Sequence, residues 1–126
     1  MERIGVQPDQ VSEDNASAVL TAVTAEHERM TRQVEALERM IAVIVEGSEL
    51  TSTDDEHDPE GATIAYERAQ ATALLRQARS DLDALEVTSS KLKAGQRVLC
   101  SVCDGEIDLE RLAALPTAVR CIRCAR

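Results

Sequence analysis

Apolar residues recur along two long stretches of this chain at alternating steps of four and three. In the first they are Ala16, Leu20, Val23, Met30, Val34, Leu37, Ile41 and Ile44, with His27 at the remaining position. In the second they are Ile64, Ala71, Leu75, Ala78, Leu82, Leu85 and Leu92, with Arg68 and Ser89 completing the series. Steps of four and three keep a stripe on one helix face, and a stripe repeating every seven residues is the seam of two supercoiling helices. The pattern predicts one helix over about 13–46 and another from about 59–61 to 93. Ser12, Asp14 or Asn15 can cap the first. Pro59 suits a first helical turn, and Lys91, Lys93 and Gly95 suit a helix C-terminus. Residues 1–12 are polar, carry Gly5 and Pro8, and read as a flexible tail.

Between the two stripes the periodicity stops. Glu46 to Gly61 contains Glu46, Glu49, Asp54, Asp55, Glu56, Asp58 and Glu60 and no Lys or Arg, with Gly47 and Pro59 to Gly61 as loop punctuation. The stripes mirror each other about it. In an antiparallel pair, opposed residue numbers have a nearly constant total. Ile44 with Ile64, Leu37 with Ala71, Met30 with Ala78, Val23 with Leu85 and Ala16 with Leu92 all give 108, and the intervening pairs give 109. Leu37 against Ala71, Met30 against Ala78 and Leu92 against Ala16 set large residues against small ones, which fills a seam without voids. The expected fold is therefore mainly α: a long antiparallel two-helix coiled-coil hairpin over 13–94, with an acidic tip loop at about 47–60. Helices of about 30 residues at about 1.5 Å per residue would each run about 45 Å. On the seam His27 reads as a packed histidine, and Arg68 as a stem lying along Ile41 with its charge in water. Tyr66 lies off the seam as a surface aromatic. His57 among acids suggests a second metal site, a reading that is not favoured, and the acidic loop has a bland reading as a solvated connector.

Residues 95–126 differ in kind. Cys100-Ser-Val-Cys103 and Cys121-Ile-Arg-Cys124 are separated by 17 residues. Two CxxC pairs at that distance are a zinc pattern, because each turn presents two thiolates to one tetrahedral ion. The expectation is a small four-cysteine finger holding one structural Zn2+ on Cys100, Cys103, Cys121 and Cys124. Four sulfur ligands leave no position for an activating water, which argues against a zinc hydrolase. Gly105 stands where a knuckle often needs positive φ.

Composition narrows the reading. With no Trp, no Phe and one Tyr, the apolar residues make a thin seam better than a wide core, so a metal staple is in keeping. A net charge of -9 opposes nucleic acid as the main partner, because DNA binding depends on Lys and Arg neutralising phosphates. The finger is nearly balanced, with Arg97, Arg111, Arg120, Arg123 and Arg126 against Asp104, Glu106, Asp108 and Glu110. No nucleophile–base cluster and no phosphate-cradling glycine loop is present, so the chain does not read as an enzyme. The N-terminus lacks an apolar signal region, and the longest apolar run, Ile41 to Val45, is too short for a bilayer. A cytoplasmic protein is expected, where paired cysteines bind metal more often than they form disulfides.

The run from Arg111 to Cys124, RLAALPTAVRCIRC, together with the cysteine spacing and an acidic-tipped hairpin before it, resembles the DksA/TraR family of bacterial proteins. The resemblance implies a transcription regulator that binds RNA polymerase, core or holoenzyme, rather than DNA. It implies that the hairpin enters the secondary channel while the zinc end grips the rim, and that tip carboxylates alter promoter-complex stability. Asp54, Asp55, Asp58 and Glu60 are the candidate tip residues. The family tip D-x-x-D-x-A is met here either by Asp58-Pro-Glu60-Gly-Ala62, with Gly61 in place of the second acid, or by Asp55 and Asp58. Leu115 and Ala84 stand where relatives that respond to ppGpp place Arg and Lys, so direct ppGpp synergy is not expected. A monomer is expected. The alternative is a zinc-ribbon coiled-coil adaptor for another protein or, less favoured by charge, for nucleic acid.

Overall fold

A computed structural model describes residues 8–50 and 59–125 of the chain, with side-chain surroundings for 14–48 and 60–125. It contains α1 (Pro8–Leu50), α2 (Pro59–Lys93) and a short α3 (Leu109–Ala114). The candidate tip residues Asp54, Asp55 and Asp58, and His57, lie outside the described residues. By packing, the chain divides into two units, one formed by Met1–Glu28 with Leu82–Arg126 and the other by Arg29–Asp81.

Both helix starts fall on proline. Proline is favoured at a first helical position, where its missing N–H has no partner to lose and its φ is already helical. Pro59 was expected there; Pro8 was not. α1 therefore starts five residues before 13, and Ser12, Asp14 and Asn15 lie inside it rather than at its cap. Residues 8–12 are accordingly helix and not tail. At the other end α1 runs through Gly47 to Leu50 instead of stopping at Glu46. An interior glycine costs about 1 kcal/mol relative to alanine but does not break a helix. A methyl group at Gly47 would meet nothing within 4 Å, so no close approach requires glycine there.

α2 ends as its sequence suggests. Gly95 has φ +71, the left-handed conformation that glycine adopts without strain. Its N–H donates to Leu92 O at 3.1 Å, and that of Gln96 to Lys91 O at 2.8 Å. This is the paired Schellman closure of a helix end. Lys91 and Lys93 place positive charge on the last turn, where the helix dipole favours it.

The seam is where the stripes placed it. In the unit Arg29–Asp81, Met30, Val34, Leu37, Ala71, Leu75 and Ala78 are buried, while Ile41, Ile44 and Ile64 are half-buried and Arg68 is exposed. Arg79 donates to Glu38 at 2.8 Å. Glu38 and Arg79 total 117 and not 108 or 109, so the pair links the two helices without fixing the expected register.

In the other unit Val23 and Leu85 are buried on the seam, with Ala16, Leu20, His27, Leu82, Ser89 and Leu92 half-buried. Val19 and Thr88 are buried too, although neither is a seam position. Each stands one turn from a seam residue, four before Val23 and three after Leu85, so the stripe widens here. The finger belongs to the same unit, and Ala16, Leu20 and Leu92 share a groove with Val98, Ile107 and Leu109. The finger's own core is Val98, Cys100, Ile107, Leu112, Ala118 and Cys121. No buried side-chain polar atom lacks a partner among the described residues. No helix among them is long and apolar enough to cross a membrane.

Candidate metal centre

The finger begins directly after the α2 cap. An isolated antiparallel bridge pairs Leu99 with Glu106. Its closing hydrogen bonds run from Cys100 N–H to Gly105 O at 2.7 Å and from Ile107 N–H to Val98 O at 2.9 Å. Between these bonds the chain turns back on itself and presents Cys100 and Cys103. Asp104 N–H donates to Cys100 O at 3.0 Å, closing the turn. The left-handed residue is Asp104, with φ 59, and not Gly105 as expected. Aspartate is among the few side chains that tolerate this conformation. Gly105 is needed for a different reason. A Cβ on it would lie 3.2 Å from Cys103 Sγ, and its N–H donates to that sulfur at 3.4 Å. The backbone must come close to the thiolate, and a side chain would hold it off.

The second pair is carried by the segment after α3, an element that the apolar stripes did not reveal. Leu112 is fully buried and anchors α3 in the finger. Leu115 N–H donates to Arg111 O at 2.7 Å as the helix ends. Arg111 Nε donates to Arg120 O at 2.9 Å, fixing the residue before Cys121. Ser101 N–H donates to Val119 O at 2.8 Å, joining the first turn to the second. Cys124 N–H and Ala125 N–H both reach Cys121 O, at 3.1 and 3.0 Å, closing the second turn. The structural part played by Arg111 was not read from sequence. Its only signal was its place at the head of RLAALPTAVRCIRC.

These constraints bring the four sulfurs together. All lie within 4.8 Å of one another, and Cys103 Sγ is 3.7 Å from Cys121 Sγ. Four sulfurs around a tetrahedral ion at about 2.3 Å stand about 3.8 Å apart, whereas a disulfide needs about 2.05 Å. The cysteines are free thiols in metal-ligand geometry. Backbone N–H groups favour charge on two of these sulfurs, Cys100 and Cys121. Backbone N–H groups of Cys103, then of Cys121, lower the Cys100 thiol from the ordinary 9.0 to about 6, and Val102 N–H adds a donor at 3.4 Å. The Cys124 backbone N–H lowers Cys121 in the same way. Cys124 is pushed up to about 12, chiefly because its thiol donates towards Cys121. A dication held by Cys100, Cys103, Cys121 and Cys124 would favour all four as thiolates. The donor set fits one structural Zn2+, on the four cysteines expected to hold it.

Residues 95–126 match the family model of the prokaryotic dksA/traR C4-type zinc finger. The dksA/traR match covers the finger and stops at its start, so it includes every cysteine and the cap glycine Gly95. Among solved structures, the chain is similar to transcription factor DksA2 from Pseudomonas aeruginosa. It has 19% identity to that protein and a TM-score of 0.67, covering 94% of this chain and 88% of that one. At that identity the likeness shows the fold: a helical hairpin followed by a small C-terminal end. No curated protein matches.

Of the candidate tip residues only Glu60 is described. It is exposed in the first turn of α2, where an acid also favours the positive end of the helix dipole. His27 sits half-buried on the seam with Nε2 3.4 Å from Glu86 Oε1, a packed histidine with an acidic neighbour. Leu115 is exposed at the end of α3, and Ala84 is half-buried.

Proposed function

We propose that this chain regulates bacterial transcription by binding RNA polymerase, with its hairpin inserted into the secondary channel. The acids near the tip, Asp54, Asp55, Asp58 and Glu60, would then act beside the catalytic region and change promoter-complex lifetime. The observation that carries the reading is the order of parts: a two-helix hairpin continuing directly into a dksA/traR finger, in a fold like that of a transcription factor over 94% of the chain. A closed four-sulfur site supplies no chemistry of its own, and a hairpin with a thin seam makes a probe and not a catalytic cleft. On this reading the functional parts are a tail at 1–12, a hairpin at 13–94 and a finger at 95–126, acting as a cytoplasmic monomer. The N-terminal boundary of the helical part would move to Pro8.

Co-purification of bacterial RNA polymerase with the tagged full chain tests the reading. Stoichiometric polymerase is expected, and its absence under conditions that keep zinc bound would overturn the proposal. Leu115 and Ala84 offer no charge to a phosphate, so ppGpp should change the effect on transcription little. A large ppGpp enhancement that is lost on changing Leu115 would contradict that part. The adaptor alternative is separated by the same capture, which would then return a different protein.

A further inference from the structure

The two flanks of the hairpin in the unit Arg29–Asp81 differ in kind. Residues just before and just after a seam position lie on opposite sides of a helical stripe. Glu38 and Arg79 each follow one, Leu37 and Ala78, and they close their flank with an ion pair at 2.8 Å. Met40, Val43 and Leu74 each precede one, Ile41, Ile44 and Leu75. They line an open groove of about 470 Å³ between α1 and α2. Met40 is 52%, Val43 68% and Leu74 49% exposed. The described residues of this unit are stretches of α1 and α2 alone, so neither helix covers the groove. A seam of two helices needs only one polar or charged border on each side, as the Glu38–Arg79 flank has. The aliphatic border contributes little to the hairpin's own stability and leaves apolar surface in water.

Charge frames the groove in a particular way. Arg39 lines it from α1 and Glu67 from α2, and both are exposed. Neither makes an ion pair among the described residues. One cation on one helix and one anion on the other make the face self-complementary. When such a face is turned about a twofold axis, each charge meets its opposite. A partner matched to only one of the two would leave the other desolvated and uncompensated, whereas a second copy satisfies both.

We propose that this flank, with Met40, Val43 and Leu74 between Arg39 and Glu67, is a self-association face occupied by the same flank of a second copy. The twofold axis runs along the hairpin, so α1 lies over α2 of the other copy as in a four-helix bundle. Arg39 then meets the partner's Glu67, and Glu67 meets the partner's Arg39. An axis across the hairpin would instead set α1 over α1 and turn arginine towards arginine. The patch is small, below about 1,200 Å² in total, and two chains of net charge -9 repel, so the pair should be weak, with a dissociation constant of roughly 10–100 µM. Pairing thickens the hairpin from two helices to four. Under the polymerase reading the monomer is therefore the acting form and the pair its reserve, but the pairing itself does not depend on that reading.

The test is sedimentation velocity on the zinc-loaded full chain at concentrations from about 2 to 200 µM, a range that brackets the expected dissociation constant. The variants are R39E, E67R and V43E, each checked for zinc content and helicity. All three positions are exposed, so the fold should survive the changes. Wild-type chain should pass from monomer to dimer across the range. R39E and E67R should each weaken pairing at least about tenfold, because like charges then face each other twice. E67R also lowers the net negative charge, so its loss cannot come from general repulsion. An equimolar mixture of R39E and E67R should dimerise again, since the acid introduced at 39 meets the base introduced at 67. V43E should abolish pairing. Wild-type chain that stays monomeric throughout overturns the proposal, whatever polymerase does. So does a mixture that stays monomeric, pairing that V43E retains within about twofold, or open-ended assembly in place of a closed dimer.

Discussion

A methyl group on Gly105 would press on Cys103 Sγ at 3.2 Å, a separation that real Cβ contacts rarely show. The Gly105 N–H donates to this sulfur, and a bound zinc would hold it in place, so it could not withdraw as a flexible side chain would. G105A should therefore weaken zinc binding, at a cost of about 1–3 kcal/mol by analogy with other overpacked sites. Competition with a chromophoric chelator measures it, and unchanged affinity would show that the turn can shift. D104G should be tolerated, since glycine accepts φ 59 more readily than aspartate. Sequence reading found the turn but placed the left-handed backbone at Gly105, when Asp104 carries it. CxxC spacing says that a tight turn follows, whereas the division between left-handed backbone and close approach depends on where the Gly105 carbonyl must reach Cys100 N–H. That pairing is invisible in the spacing.

Within the elements, burial separates two leucines that the stripe treats alike. Leu85 is fully buried and Leu82 only half-buried. L85A should cost about 3–5 kcal/mol and L82A clearly less. Equal urea midpoints for the two variants would mean that the packing differs from that described. The seam was legible because a two-helix interface has one periodic stripe, and the buried residues follow it. Val19 and Thr88 were not legible, since their burial depends on a stripe that widens only in the unit holding the finger. The helix ends were legible at Gly95, where left-handed glycine and two lysines agree. They were misread at Pro8 and Gly47, because a proline can open a helix and a glycine can be carried inside one. α3 was missed because six residues are too few to display a period. The finger itself depends on its metal more than on its core, so chelation should loosen 95–126 first and leave much of the α1–α2 helicity intact. Hydrogen exchange with and without chelator tests this. Protein purified without chelator that proves zinc-free on elemental analysis would sink the metal assignment.

At the scale of the molecule, affinity and effect need not reside in the same residues. The finger offers the exposed Arg120 and Arg123 beside exposed aliphatic side chains, and the hairpin adds Met40, Val43 and Leu74 along one groove. Such groups gain from leaving water. The acids Asp54, Asp55 and Asp58 offer only carboxylates, whose desolvation is costly unless a cationic or hydrogen-bonding partner receives them. If polymerase supplies that partner in one conformation and not in another, the acids shift its equilibrium by the difference and contribute little to binding averaged over both. Replacing Asp55 and Asp58 together with Asn keeps size and removes charge. The double variant should bind polymerase within about tenfold of wild type, which is about 1.4 kcal/mol, and lose most of its effect on promoter-complex lifetime. Full activity in the variant would return the acidic stretch to the role of a solvated connector. Complete loss of binding with zinc and helicity intact would show instead that the acids hold the complex together, and that the division of labour argued here is wrong.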